Sequence, residues 1–217
     1  MKQIIFSELK SHYEMNMREY VSVMNAFPWE DRGAYSAWLA QTFHYVSFSS
    51  RIISMAAAFT PLDEPQLHSR FVNHSAEESN HEILAKRDLE ALGGKIEDYP
   101  LFSSTRALYQ SQYYYAQVEG AASLMGYFIS LEGLALHCAK TASERVLKAT
   151  QNPKTINFLR VHAEDDIEHV DKALKALEKF KPESLRAVAV NLENTRMFYS
   201  RMLQECQGLS SKVKAAA

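Results

Sequence analysis

The sequence predicts an all-α fold, a bundle of about seven helices forming a single domain over residues 1–217. Glycine and proline are scarce, seven and six in 217 residues, about half of average usage. Apolar residues recur at three- and four-residue spacing over long stretches, and no segment alternates with the period of a strand. The Pro and Gly signals that do occur cut the chain into helix-length pieces.

The first amphipathic segment runs from about Ser7 to Ala26 and stops at Phe27-Pro28. A second spans Arg32 to Phe59, ended by Thr60-Pro61. The third starts near Pro65, where Asp63-Glu64-Pro65 supplies acid and proline at a helix N-terminus, and it ends at the Gly93-Gly94 stop. After a loop from Lys95 to Phe102, Ser103-Ser104 caps a very long stretch to about Gln151. Glycines 120, 126 and 133 are expected to bend or break it. Another helix starts at Asn152-Pro153 and reaches Phe180, where Lys181-Pro182 stops it. The last spans Glu183 to Gln207, and residues 208–217 read as a frayed tail.

The charge balance excludes some functions. Lys plus Arg is 24 and Asp plus Glu 26, a formal net charge of −2, so the chain has no general electrostatic grip on nucleic acid or an anionic membrane. No run approaches the roughly 18 apolar residues of a membrane span, and the N-terminus turns polar too soon for a signal peptide. Two cysteines, Cys138 and Cys206, make no disulfide framework. The expectation is a cytoplasmic protein with no nucleic-acid or membrane partner.

Four of the eight histidines fall in two matching motifs, His74-x3-Glu78-x2-His81 and His162-x3-Asp166-x2-His169. On one helix, offsets of 0, 4 and 7 residues span about 60° of arc, so each triad shares a face. The inward stripe of the first helix reads Leu67, Phe71, His74, Glu78, His81, Ala85, Leu89, Leu92. That of the second reads Leu159, His162, Asp166, His169, Ala173, Leu177, Phe180. Polar triads thus stand where a bundle expects leucine, and a buried carboxylate among imidazoles is costly unless something such as a metal ion compensates it.

The two stripes align at a constant offset of 88, which also carries His44 onto Glu132, a lone acid in an apolar segment. The chain reads as two similar halves with an internal pseudo-twofold repeat, each giving one ligand-type residue from one helix and three from the next. Helical bundles build dimetal sites from facing helices in this way. Glu132 is the candidate bridging and catalytic carboxylate. His44 stands equally as a ligand or as a donor orienting one. A single histidine is more often a packing or surface residue, and His12, His68 and His137 are read so. Tyr109, Tyr113, Tyr114, Tyr115, Tyr127 and Phe128 are read as core, with one or two lining a pocket. Imidazole and carboxylate without thiolate suit iron, with manganese possible, and the number of candidate ligands fits two ions.

These motifs resemble the haem-oxygenase-like dimetal oxidases, relatives of TenA and PqqC. That family shows an acid separated by six residues from a histidine, then a distant glutamate, then His-x3-Asp-x2-His. His81, Glu132, His162, Asp166 and His169 match, whereas His74 stands where the first acid is usual and Glu78 can supply the missing carboxylate. The resemblance implies a haem-oxygenase-like bundle, a homodimer, and a non-haem di-iron centre that activates O2 toward a small organic substrate such as an amine, amino acid or fatty acid. It leaves two alternatives: a metal-free TenA- or PqqC-like protein (a thiamin-related hydrolase or a ligand-binding protein), or a metal-binding regulatory protein without turnover. TenA-type hydrolases place a nucleophilic cysteine six residues before the equivalent glutamate, and Gly126 stands there in this chain.

Overall fold

The structure, a computed structural model, describes residues 4–216, with the backbone alone at 164–169 and 211–216. Nine α-helices connected by short turns make up the described chain, with no strand among them: α1 (Phe6–Ala26), α2 (Arg32–Val46), α3 (Ser49–Phe59), α4 (Pro65–Glu77), α5 (His81–Ala91), α6 (Ser103–Tyr114), α7 (Met125–Thr150), α8 (Asn157–Leu177) and α9 (Pro182–Ala216).

Two segments that the sequence presents as single helices are each broken in two. The stretch from Arg32 to Phe59 breaks between Val46 and Ser49. There the Ser47 hydroxyl donates back to the Phe43 carbonyl at 2.6 Å, and the Phe48 ring lies flat on Tyr109 with centroids 4.2 Å apart. The stretch from Pro65 to Gly93 breaks inside its own histidine motif. Glu78 closes α4, Asn80 adopts the left-handed conformation at φ 70°, and His81 opens α5. Asparagine is among the few non-glycine residues that enter this region readily.

The long stretch after Ser103 also breaks, at one of the three glycines. A π-helical turn (Tyr115–Glu119) passes through Gly120, at φ 94°, into a 3-10 turn (Ala121–Leu124) that leads into α7. Gly126 and Gly133 bend nothing; they let neighbours approach. A Cβ at Gly126 would collide with backbone atoms of α9, the Val188 carbonyl oxygen and the Leu192 amide nitrogen. One at Gly133 would meet the ends of the Tyr13 and Met17 side chains.

At the C-terminus, α9 does not stop at Gln207 but continues to Ala216. Ser210 is buried, and its hydroxyl donates to Asp31 Oδ1 at 2.7 Å, the same carboxylate oxygen that caps α2 through the Ala34 amide. This anchor holds as helix the start of a segment that the sequence presents as a frayed tail.

Helix α7 is the centre of the bundle, packed against α8, α9 and α1, while α2 packs on α5 and α9, and α3 on α4. Residues Ala121–Thr150 have the length and apolar composition of a membrane-crossing helix, yet 72% of the apolar window is buried inside the protein. Apolar composition here reflects a core position.

Candidate metal centre

The break in the first motif changes how its residues meet. His74, Glu78 and His81 do not sit on one helical face. His74 comes from the last turn of α4, Glu78 from the junction and His81 from the first residue of α5. They still converge: Glu78 Oε1 lies 3.6 Å from His74 Nε2, and Glu78 Oε2 lies 3.5 Å from His81 Nδ1. Glu132, from the middle of α7, brings Oε1 to 3.4 Å from His74 Nε2.

His162 arrives from α8. Its Nδ1 donates to the Phe158 carbonyl at 2.8 Å, and its ring stacks on Phe158 at a centroid distance of 4.1 Å. That bond fixes the ring with the proton on Nδ1, the usual way a ligating histidine is held. The His81 ring lies edge-on to it, with centroids 5.1 Å apart. Glu78, His81 and His162 offer ligand atoms that all lie within 4.8 Å of one another. The grouping crosses the two sequence motifs: the first gives Glu78 and His81, the second His162. His74 instead lies between Glu78 and Glu132.

Two other expected ligands, Asp166 and His169, fall on α8 where their side chains lie outside the described residues. His44, on α2, is half-buried beside the Phe43 ring and is absent from the lining of the cavity that holds His74, Glu78, Glu132 and His162. His68 and His137 are exposed. Cys138 is buried, and burial pushes its thiol up to about 11.

Burial controls the charges at the site. It pushes the Glu132 carboxyl up to about 7; His74 and Arg70 oppose this and Glu78 adds to it. Both Glu132 oxygens are buried with no hydrogen-bond partner among the described residues. Burial works against ionisation of Glu78 as well, but His74 and His81 outweigh it and hold that carboxyl well below the usual range. His74 is pulled both ways, with burial lowering its pKa and the two facing carboxylates raising it above the ordinary value. Without a metal, one imidazolium therefore serves two acids.

The donor set fits a metal. Two imidazoles and a carboxylate around one point, with a second buried carboxylate paired to His74 but without a hydrogen bond among the described residues, match the oxygen and nitrogen preference of iron or manganese. The remaining walls of the cavity, about 90 Å³ in volume, include Trp38, Phe128, Leu131 and Leu159.

Two contributors were missed in the sequence reading. Asp88, fully buried on α5, accepts from the Phe158 amide and the Asn157 side chain, each at 2.8 Å, and so caps the first turn of α8. Its spacing carries the signal, because residue 88 lies seven after His81 and faces the same side of the helix. Arg70 lies one turn before His74 and feels Glu132 electrostatically.

Solved structures of other proteins share this fold. A protein of unknown function with a haem oxygenase-like fold, from Shewanella denitrificans, superposes with a TM-score of 0.84 at 17% identity, covering 99% of this chain and 97% of its own. A TenA homologue from Pseudomonas syringae gives 0.77 at 12% identity, covering 96% and 99% respectively. Another from Pyrococcus furiosus gives 0.73 at 14% identity, covering 93% and 100%. Among curated protein sequences there is no significant match. These likenesses make the architecture an all-α haem oxygenase-like bundle, the one the motifs led us to expect. The profile of iron-containing redox enzymes matches residues 36–197, about three quarters of the sequence, and the chain belongs to that family.

Proposed function

We propose that this protein is a non-haem di-iron enzyme that activates O2 to oxidise or oxygenate a small organic substrate. One observation carries the reading: Glu78, His81 and His162 converge within 4.8 Å beside a buried Glu132 whose oxygens lack hydrogen-bond partners among the described residues. Glu78, His81 and His162 would hold one iron and Glu132 would bridge to a second, with Asp166 and His169 as its expected ligands. Bound as a ferrous pair, the metals supply two electrons to O2.

The protein's own residues prepare that chemistry. The Phe158 carbonyl fixes the His162 tautomer. His74 holds a proton on Nε2 between Glu78 and Glu132 and keeps the two acids compatible in the absence of metal. Apolar and aromatic side chains make up most of the cavity wall around these polar groups. Gly126 argues against the thiamin-hydrolase alternative, because the approach of α9 leaves no room there for the side chain of a cysteine nucleophile. A homodimer remains the proposed assembly, to be checked by analytical ultracentrifugation.

The test is anaerobic loading with ferrous iron, desalting and elemental analysis, with the optical spectrum followed as O2 is admitted. Near two irons per chain and a transient visible band support the reading. No retained metal and no spectral change would refute it in favour of metal-free ligand binding. Iron retained without consumption of O2 would point to a regulatory metal-binding protein.

A further inference from the structure

The cavity that holds His74, Glu78, Glu132 and His162 also carries the start of a chain of oxidisable rings. Phe158 stacks on His162 with centroids 4.1 Å apart, and Trp38 stands edge-on to Phe158 at 5.8 Å. Trp38 and Tyr199 line the cavity themselves, and Trp38 Nε1 donates to Tyr199 Oη at 2.9 Å. Tyr20 and Tyr45 meet the Tyr199 ring edge-on, at 5.5 and 6.1 Å. Trp38 also meets Trp29 at 5.1 Å, and Trp29 directly precedes the exposed Glu30.

Among ring side chains, indole and phenol give up an electron most readily, and electron transfer falls off exponentially with separation. Rings in contact therefore pass an electron vacancy in short steps that one long step does not match. The sequence has two tryptophans, and both stand in this chain. Phe158, between His162 and Trp38, is a spacer one ring thick. Protons decide where the vacancy comes to rest, because a phenol that loses an electron also loses its proton. Tyr35 stacks on Trp38 at 5.7 Å, but its hydroxyl donates to the Thr155 carbonyl, which takes up no proton at neutral pH. Tyr199 instead bonds with Tyr45, a second hydroxyl on the cavity wall, and so has a route for its proton. Burial holds the Tyr199 phenol well above its ordinary pKa, so it keeps that proton until it is oxidised.

We propose that Trp38 and Tyr199 form an electron relay to the metal centre, which discharges it when O2 reacts and no substrate is bound. This rests on reading the site as an iron centre that activates O2. Reducing O2 to two waters takes four electrons and four protons. The ferrous pair gives two electrons and becomes ferric; the other two reach the site singly through Trp38, which Tyr199 refills. Each time the Tyr199 O–H bond breaks, one electron passes to Trp38 and one proton passes by way of Tyr45 to the forming water. A one-electron reductant such as ascorbate restores the phenol between the two events, and solvent gives the remaining two protons.

The first arm of the test uses metal-free, full-length protein and so does not depend on iron. Glu30→Cys places a thiol beside Trp29 for a ruthenium polypyridyl photo-oxidant, and the two native cysteines are buried. A flash in the presence of a sacrificial quencher oxidises Trp29, and transient absorption follows the vacancy. The indole radical band should give way to a phenoxyl band. Tyr199→Phe should abolish the phenoxyl band and prolong the indole one, whereas Tyr35→Phe should leave both unchanged. No phenoxyl band, or the same band in Tyr199→Phe, would overturn the proposal.

The second arm loads wild-type protein with ferrous iron, admits O2 without substrate and freezes early samples for electron paramagnetic resonance. A phenoxyl signal that narrows with ring-deuterated tyrosine should appear. It should be missing in Trp38→Phe and in Tyr199→Phe at equal iron per chain; Tyr199→Phe removes a single oxygen atom and carries the test if Trp38→Phe folds poorly. Iron bound and O2 consumed with no phenoxyl signal would overturn the relay and leave the di-iron reading standing. No iron bound would refute the di-iron reading and with it the relay's role, even where the flash experiment shows transfer.

Discussion

Substituting Asp88 with alanine tests how the fold sets the metal site. The carboxylate is fully buried on α5 and accepts two hydrogen bonds from the start of α8, the Phe158 amide and Asn157 Nδ2, both at 2.8 Å. Hydrogen bonds to a charged group contribute about 1.5–3 kcal/mol each. Burial pushes the Asp88 carboxyl up and offsets part of that. The Phe158 amide, left without its cap, adds to the cost. A net loss of about 2–4 kcal/mol follows, which in a chain of this length lowers Tm by about 5–15 °C. The second effect is specific to the site. Asp88 and His81 share one face of α5, while Phe158 and His162 are one turn apart on α8. The capped turn therefore fixes the distance between the two histidines, and iron affinity should fall by about 10–100-fold. Asp88→Asn keeps one acceptor for the Phe158 amide and should fall between wild type and Asp88→Ala on both measures. Thermal unfolding gives the first quantity and titration with ferrous iron below each variant's Tm the second. A variant that loses stability but binds iron as wild type does would refute the positioning role.

Other consequences are open to direct test. Gly126→Ala should destabilise the protein by about 2–4 kcal/mol by overpacking, because the added carbon meets backbone of α9. Gly133→Ala should cost less, since the ends of the Tyr13 and Met17 side chains can move; chemical denaturation of both variants checks the order. Glu78→Ala and His162→Ala should each lose bound iron, measured by elemental analysis after desalting, with helical content by circular dichroism unchanged. The metal-free protein should lose stability as pH rises from about 4.5 to above 7. Glu132 has a carboxyl raised from 4.5 to about 7 in the folded state, so the unfolded chain releases that proton first and gains over this window. His74, also raised, acts in the same direction. Glu132 alone amounts to about 3 kcal/mol on this basis, and Glu132→Gln should flatten the profile measured by denaturation from pH 5 to 8.

Much of this was legible in the sequence because helix punctuation and ligand chemistry are local. The Pro65 start, the Gly93 stop and the long core helix carrying Glu132 all appear where composition and spacing put them. The broken motif was harder to see, although Ser79-Asn80 stands directly before His81 as a stop signal. Strict helical spacing suggested that His74, Glu78 and His81 share a face, and the left-handed Asn80 replaces that geometry with a bend that still gathers them around Glu78. The roles of Gly126 and Gly133 depend on what lies opposite, α9 in one case and α1 in the other, and a single chain read in order does not contain that information. The same holds for Ser210, whose partner Asp31 is 179 residues away, and for the grouping of Glu78 and His81 with His162. Spacing identified the ligand types, while tertiary packing decided which residues meet.

The most direct measurement is an anomalous-difference map at the iron edge from crystals loaded anaerobically with ferrous iron. The account predicts two iron peaks in the cavity between α4, α5, α7 and α8, one in contact with Glu78, His81 and His162, and both in contact with Glu132. Full loading with no peak among these residues, or with iron held elsewhere on the surface, would contradict it.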